Sequence, residues 1–398
     1  MAPPNVADEM PRPVLRLFCI AIVARTPYAA TGLLLIVRTK ELTGSYAASG
    51  LVAGAASVAL ALVSPSVGRL VDRNGQTTVL RVAVVLNASA LTAFGLLPHG
   101  TPLGLLVGCA ALSGAATPPI GACLRTLYPT LVEGERLHRV FAIESATLEV
   151  TYILGPLLML AIASLAGTGT ALVISAAALG GGTLVFSATR ESRTWHAPPS
   201  GVARQRGGAL RSPGLQTIAI AIALAGATFG AIEVAVPAAC QAAGTKGATG
   251  PLLAIWGLGS MLGGLLAARA AAPADAARWI VLLLAALGIG DLALVPFSAL
   301  SALAPLLLVA GAAIAPLLGI AYSVVDRVSP NGGQTEAFAW LTTAIGVGIS
   351  GGSALAGALV DARGPGAGFA AAAAAGLVAC AITSARRESL AAPAPATG

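Results

Sequence analysis

The sequence predicts an all-α integral membrane protein whose twelve transmembrane helices form two pseudo-symmetric six-helix bundles. Three observations carry that reading. Only 10% of the 398 residues are charged and 56% are hydrophobic, whereas soluble domains carry about 25% charge. The apolar residues fall into twelve runs, each close to the roughly 20 residues needed to cross a bilayer core. One long polar gap, residues 189–214, has six runs on each side. Disorder is excluded, because it requires low hydrophobicity and high charge. A soluble enzyme is a poor fit, because 39 charged side chains cannot coat such a chain.

The spans follow in order: 14–37, 46–67, 78–97, 103–131, 139–165, 168–188, 215–238, 248–271, 279–300, 303–325, 337–359 and 366–384. The first follows the polar stretch MAPPNVADEMPR, which contains acids and does not read as a cleavable signal peptide. Links at Pro98–Pro102, Ala166–Gly167 and Ser301–Ala302 are short enough to force antiparallel neighbours. The runs show no two-residue alternation, so barrel strands are rejected. Between the sixth and seventh runs, TRESRTWHAPPSGVARQRGGALRSPG is rich in Arg, Pro and Gly and reads as a flexible linker. The expected organisation is a bundle over 1–188, a cytoplasmic linker over 189–214 and a bundle over 215–398.

Basic residues set the orientation, because cytoplasmic loops accumulate Lys and Arg. With the N-terminus inside, seventeen of the 23 fall on the cytoplasmic side. Four (Arg38, Lys40, Lys246 and Arg363) fall outside, and Arg25 and Arg125 lie within spans. Both termini are therefore expected in the cytoplasm, with the chain in a bacterial inner membrane. The net charge of +7 is spread over the gaps between runs, which argues against nucleic-acid binding. Five scattered cysteines without a CxxC pair and three scattered histidines suggest neither a disulfide framework nor a metal site. No catalytic constellation or cofactor motif is evident.

Weak internal similarity points to duplication. GRLVDR (Gly68–Arg73) parallels GLLAAR (Gly264–Arg269), and VFAIES (Val140–Ser145) parallels AFAWLT (Ala337–Thr342), at nearly equal offsets. That register sets Gly155 opposite Gly352.

After the second span the chain reads GRLVDRNGQTTVLR. This resembles the loop 2–3 signature of the major facilitator superfamily, matched at Gly68, Leu70, Asp72, Arg73 and Gly75. Gln76 and Thr77 stand where the family often has basic residues. Physically, Gly68 permits close packing and Gly75 a positive φ, while Asp72 and Arg73 supply charge-assisted bonds. The resemblance implies a conformational latch. Asp72 would face the start of span 11, and Arg73 would pair with an acid near the end of span 4, for which Glu133 is the candidate. It also implies that spans 1, 4, 7 and 10 line a central cavity, with 2, 5, 8 and 11 flanking it and the others outside.

Ionisable residues within spans are costly and are functional candidates by default. Arg25 and Glu149 lie at similar depth, in spans 1 and 5. Glu144 and Arg125 lie nearer the cytoplasm, and Glu233 lies in the outer half of span 7. A carboxyl away from water favours its neutral form, and a neighbouring cation favours the charged one. A carboxyl that alternates between such settings carries protons, which makes these five residues proton-coupling candidates. Asp291 in span 9 is expected to be peripheral, and Asp326 and Glu336 to be solvated at span ends. Gly155-Pro156 matches the centre of the antiporter signature of drug exporters, but Thr151, Met159 and Leu160 replace its other glycines. Gly348 and Gly352 form a small-residue face expected to pack on span 2 or 8. Tyr28, Tyr152, Trp256 and Trp340 are candidates for contact with an organic substrate. Trp195 and Trp279 read as interface anchors.

The resulting expectation is a monomeric secondary transporter, of the drug–proton antiporter type, working by alternating access. It would export a small organic solute in exchange for protons, within the lipid bilayer. The alternatives are an importer or facilitator of a sugar-like or nucleoside-like nutrient and, more remotely, a membrane-embedded enzyme. Few Asn and Gln in the spans favour an apolar solute. The enzyme lacks the clustered His, Asp or paired acids it would need.

Overall fold

The computed structural model describes residues 11–198, 208–296 and 300–390. Linker residues 199–207, with Arg204 and Arg206, lie outside the described residues, as do 297–299 at the end of the expected ninth span. Among the described residues there is no strand. Among the same residues, twelve segments are long and apolar enough to cross a membrane, and they follow the expected spans closely.

Span 1 consists of α1 (Arg12–Tyr28) and α2 (Thr31–Thr43). Spans 2 and 3 are α3 (Tyr46–Asn74) and α4 (Gln76–Leu96). Span 4 is α5 (Leu103–Ala115) and α6 (Ile120–Leu131), and spans 5 and 6 are α7 (Gly134–Ala166) and α8 (Thr168–Ala188). A short α9 (Arg190–Thr194) begins the linker. Spans 7 to 9 are α10 (Pro213–Ala242), α11 (Thr249–Arg269) and α12 (Ala276–Leu294). Span 10 is α13 (Leu300–Gly311) and α14 (Ile314–Val328), followed by α15 (Gln334–Arg363) and α16 (Pro365–Ala385).

Three spans expected to be continuous are interrupted. Pro27 lies in the last turn of α1, where it can donate no backbone hydrogen bond. In span 4, Pro118 and Pro119 are consecutive, and the helix restarts only at Ile120. Each proline also disfavours helical backbone in the residue before it. In span 10 the chain turns at Ala312–Ala313, with Pro316 in the first turn of α14. Elsewhere helix starts are capped by side chains: Ser45, Thr189, Ser212 and Asp275 each accept a first-turn amide. Gly75, at φ 81°, is the single residue between α3 and α4 and makes the positive-φ turn its position demands.

The chain divides into two compact units that interleave in sequence. The first contains residues 1–132, 150–205 and 331–339, and the second contains 133–149, 206–330 and 340–398. Within each unit, glycines bring helix backbones into direct contact, as membrane packing favours. In the first unit, a Cβ placed on Gly155 of span 5 would lie 2.2 Å from the carbonyl oxygen of Thr26 in span 1. In the second, a Cβ on Gly352 of span 11 would lie 2.1 Å from the Ala227 oxygen in span 7. Spans 2 and 4 meet at Gly114 and Ala56, and spans 8 and 10 meet at Gly259 and Leu308. Each unit thus repeats the same pairings six spans apart, and the expected Gly155–Gly352 correspondence holds at the level of packing.

Gly348 and Gly352 do form a packing face, but on α10, against Ala223 and Ala227, rather than on span 2 or 8. The repeat explains this, because span 11 meets span 7 as span 5 meets span 1. In the second unit the first half of α7 packs through Ala142 against Gly319 and through Ala146 against Gly264. The Phe141 and Tyr322 rings lie 6.1 Å apart there.

Candidate functional site

The loop 2–3 motif is fixed by the end of α3 and the start of α15, both in the first unit. A Cβ on Gly68 would lie 2.8 Å from the Glu336 Cα, so only glycine allows the two helices to come this close. Asp72, one turn later and buried, accepts the Thr335 amide at 3.0 Å through Oδ1 and the Glu336 amide at 2.9 Å through Oδ2. These are first-turn amides of α15, where the helix presents partial positive charge. Arg69 adds a bidentate ion pair, with Nε to Glu336 Oε2 at 3.1 Å and Nη2 to Oε1 at 2.8 Å.

The ionic partner expected for this motif is therefore displaced. Arg73 and Glu133 are both exposed, and the motif's ion pair is Arg69–Glu336. Arg69 lies one helical turn before Arg73, close to the start of α15. Glu336 is buried, not solvated, because its own amide and carboxylate are both engaged. Leu70 is exposed. Gln76, which departs from the family pattern, is fully buried and donates to the Cys123 carbonyl and the Thr126 hydroxyl, each at 3.0 Å. It ties span 3 to span 4. Trp195 is buried at the end of α9 rather than placed as an exposed anchor, while Trp279 is half exposed.

Among the intramembrane charges, Glu149 lies at the middle of α7. The buried Ser260 hydroxyl of α11 donates to its Oε1 at 2.7 Å, within the second unit. Sequence reading did not identify Ser260, because a lone serine in an apolar run gives no signal until the helices are paired. Glu144 is buried in the same unit, and Glu233 is exposed on α10. Asp291 is completely buried on α12, and neither carboxylate oxygen has a hydrogen-bond partner among the described residues. It is a deeper and less satisfied group than a hydrated helix break would be.

In the first unit, Arg25 of α1 and Arg125 of α6 approach one another around Gly121. A Cβ on that glycine would lie 3.7 Å from the Arg25 guanidinium and 3.8 Å from Arg125 Nη1. Arg25 is partly buried and Arg125 buried. Tyr28, three residues after Arg25, reaches the Thr117 hydroxyl at 3.5 Å, beside the break in span 4. Tyr152, in the same unit, is largely exposed. In the second unit, Trp256 packs edge-on against Phe229 at 5.9 Å, and the indole nitrogens of Trp256 and Trp340 have no hydrogen-bond partner among the described residues.

The sequence pattern of the Major Facilitator Superfamily matches residues 17–272, well over half of the chain. The chain belongs to this superfamily. Among curated superfamily relatives, it is 27% identical over 216 residues to an uncharacterized MFS-type transporter, y4rN, of Sinorhizobium fredii, covering 52% of this chain and 53% of that one. It is 26% identical over 182 residues to the multidrug resistance protein MdtG of Salmonella arizonae, covering 45% and 43%. The chain thus spans about half the length of the curated relatives it matches.

Superfamily structures share the fold across nearly the whole chain. The human organic anion transporter MFSD10 superposes with a TM-score of 0.74 at 16% identity, covering 94% of this chain and 100% of that one. A bacterial homologue of the iron transporter ferroportin gives 0.76 at 15%, covering 95% and 100%. The chain is accordingly a multi-pass membrane protein of this superfamily, with twelve candidate spans among the described residues.

Proposed function

We propose that this transporter exports a small, partly apolar organic solute in exchange for protons, by alternating access. The reading is carried by Glu149, a carboxyl at mid-span that accepts a hydrogen bond from a serine hydroxyl on a neighbouring helix. A serine accommodates both protonation states, since its hydroxyl donates to a carboxylate and accepts from a carboxylic acid. Such a site can take up and release a proton with little rearrangement. Glu144 is the second candidate carrier, while Arg25, Arg125 and Glu233 supply charge along the path. Tyr28, Tyr152, Trp256 and Trp340 supply apolar surface for the solute. The partial likeness to a protein named for multidrug resistance supports export.

In the proposed cycle, Asp72 and Arg69 hold the cytoplasmic ends of spans 2 and 11 together through the Thr335 and Glu336 contacts. Charge-assisted bonds of this kind contribute about 1.5–3 kcal/mol each, so opening at that end must offset them. The excess of Arg in alternate loops supports cytoplasmic termini in a bacterial inner membrane, and the working unit in this reading is a monomer.

Everted membrane vesicles with a preset pH gradient test the reading. Addition of a transported solute is expected to shift the gradient in the wild type and not in Glu149→Gln. A response that survives in Glu149→Gln and in Glu144→Gln overturns the assignment of the carrier.

A further inference from the structure

We infer that the seam between spans 3 and 6 holds an anionic phospholipid, its phosphate on Arg81 and its acyl chains along the exposed face of α4 and α8. Such a lipid is distinct from the transported solute.

The two helices meet along their whole length. A Cβ on Gly95 of α4 would lie 2.7 Å from the Gly169 oxygen of α8, and one on Gly180 would meet the Ala88 methyl at 3.9 Å. At the loop 2–3 end, the Thr77 hydroxyl donates to the Ser187 carbonyl at 3.1 Å, and Arg81 Nε donates to Ser187 Oγ at 3.4 Å. Ser187 is fully buried, and its hydroxyl donates onward to the Leu184 carbonyl at 2.9 Å. These bonds fix the Arg81 side chain through Nε alone. Arg81 is exposed, and its two terminal nitrogens have no acceptor among the described residues. A guanidinium held in this way presents the planar fork that matches a phosphate.

Apolar surface continues directly from the cation. Val85, one turn after Arg81 on α4, is 59% exposed, and Leu184, three residues before Ser187 on α8, is 45% exposed. Gly181, three residues earlier again, is exposed, and a Cβ there would meet nothing within 4 Å. Because α4 and α8 run antiparallel, these residues lead from Arg81 toward the middle of both spans. A fixed cation at the helix end and an apolar strip running into the membrane match the two parts of a phospholipid. A free phosphate ion would use only the first.

The local charge selects an anionic headgroup. Arg73, Arg190 and Arg193 are exposed in the same two segments of chain, residues 68–82 and 184–196. The acids of these segments are already engaged. Glu191 accepts from Arg16 at 2.9 Å and 2.7 Å, and Asp72 accepts the Thr335 and Glu336 amides. Neither is left to receive the ammonium of a zwitterionic lipid. Basic pockets between spans at a membrane surface take anionic headgroups, and each Arg near the surface contributes about a fivefold preference.

The test is a thermal-shift titration of the purified, delipidated full-length protein in detergent. The probes are dioleoyl-phosphatidylglycerol and dioleoyl-phosphatidylcholine, with inorganic phosphate as a soluble arm. Phosphatidylglycerol is expected to reach half-maximal stabilisation at a mole fraction about fivefold or more below phosphatidylcholine. Phosphate is expected to give no comparable stabilisation. Arg81→Gln is expected to reduce the preference by about fivefold. Arg278→Gln, at an exposed arginine of the second unit, is expected to leave it unchanged. Each preference is a ratio within one variant, so a general loss of stability in Arg81→Gln does not alter it.

A wild type without the preference overturns the inference, as does a preference that is undiminished in Arg81→Gln. An equal fall in Arg278→Gln assigns the effect to overall charge and overturns the seam site. Phosphate that stabilises as well as phosphatidylglycerol overturns the lipid as occupant.

Discussion

The Ser260 hydroxyl donates to the Glu149 carboxylate at 2.7 Å, joining the middles of spans 8 and 5 within one compact unit. The serine is fully buried, and alanine keeps its Cβ while removing the hydroxyl. Ser260→Ala is expected to slow proton-coupled flux by about 2- to 10-fold, corresponding to one hydrogen bond of roughly 0.5–1.5 kcal/mol. Glu149→Gln is expected to abolish coupling. Flux assays on the two variants separate these outcomes, and a Ser260→Ala rate equal to wild type would remove the serine from the pathway.

Asp72 and Arg69 act on the same helix start, and their effects should be coupled. Asp72→Asn keeps the shape of the side chain while removing its charge, and is expected to raise cytoplasmic accessibility of a cysteine placed at Thr335. Arg69→Glu combined with Glu336→Arg should recover part of what either change loses alone. A double-mutant cycle read by thermal stability should show a coupling energy of about 0.5–3 kcal/mol. Simple additivity would mean that the ion pair contributes nothing.

The glycine contacts predict sharply different tolerances at adjacent positions. At Gly352 an added methyl would collide with the Ala227 backbone, whereas at Gly351 nothing lies within 4 Å. Gly352→Ala is expected to destabilise by about 1–3 kcal/mol, the usual cost of overpacking. Gly351→Ala is expected to be neutral or slightly stabilising, since alanine is the better helix former. Gly155→Ala should behave like Gly352→Ala, because the two occupy equivalent places. Equal effects at 351 and 352, measured by unfolding, would contradict the repeat.

Asp291 sits wholly buried, and its two carboxylate oxygens have no partner among the described residues. Leaving such a group without partners costs about 1–3 kcal/mol. Asp291→Ala is therefore expected to stabilise the protein by a comparable amount and to leave flux unchanged. Loss of flux in that variant would give Asp291 a functional role.

The spans were legible because hydrophobicity and length are local properties, and the loop 2–3 motif because its glycines and charges occupy fixed positions. The breaks in spans 1, 4 and 10 had signals in Pro27, Pro118-Pro119 and Pro316, but a window that averages hydropathy passes over them. The partners of the charges were not legible. Choosing Glu336 over Glu133 depends on where the start of α15 lies beside α3, and that distance spans more than 260 residues of sequence. Ser260 and Gly121 are silent for the same reason, since their significance comes entirely from neighbours on other helices.

The most direct measurement of the central claim is proton–solute coupling in proteoliposomes loaded with a pH-sensitive dye, using a solute identified by thermal shift. The account predicts that solute addition moves the lumenal pH in the wild type. It predicts that Glu149→Gln still exchanges labelled solute across the bilayer but leaves lumenal pH unchanged. A Glu149→Gln protein that moves solute and protons together, at the wild-type ratio, would contradict it.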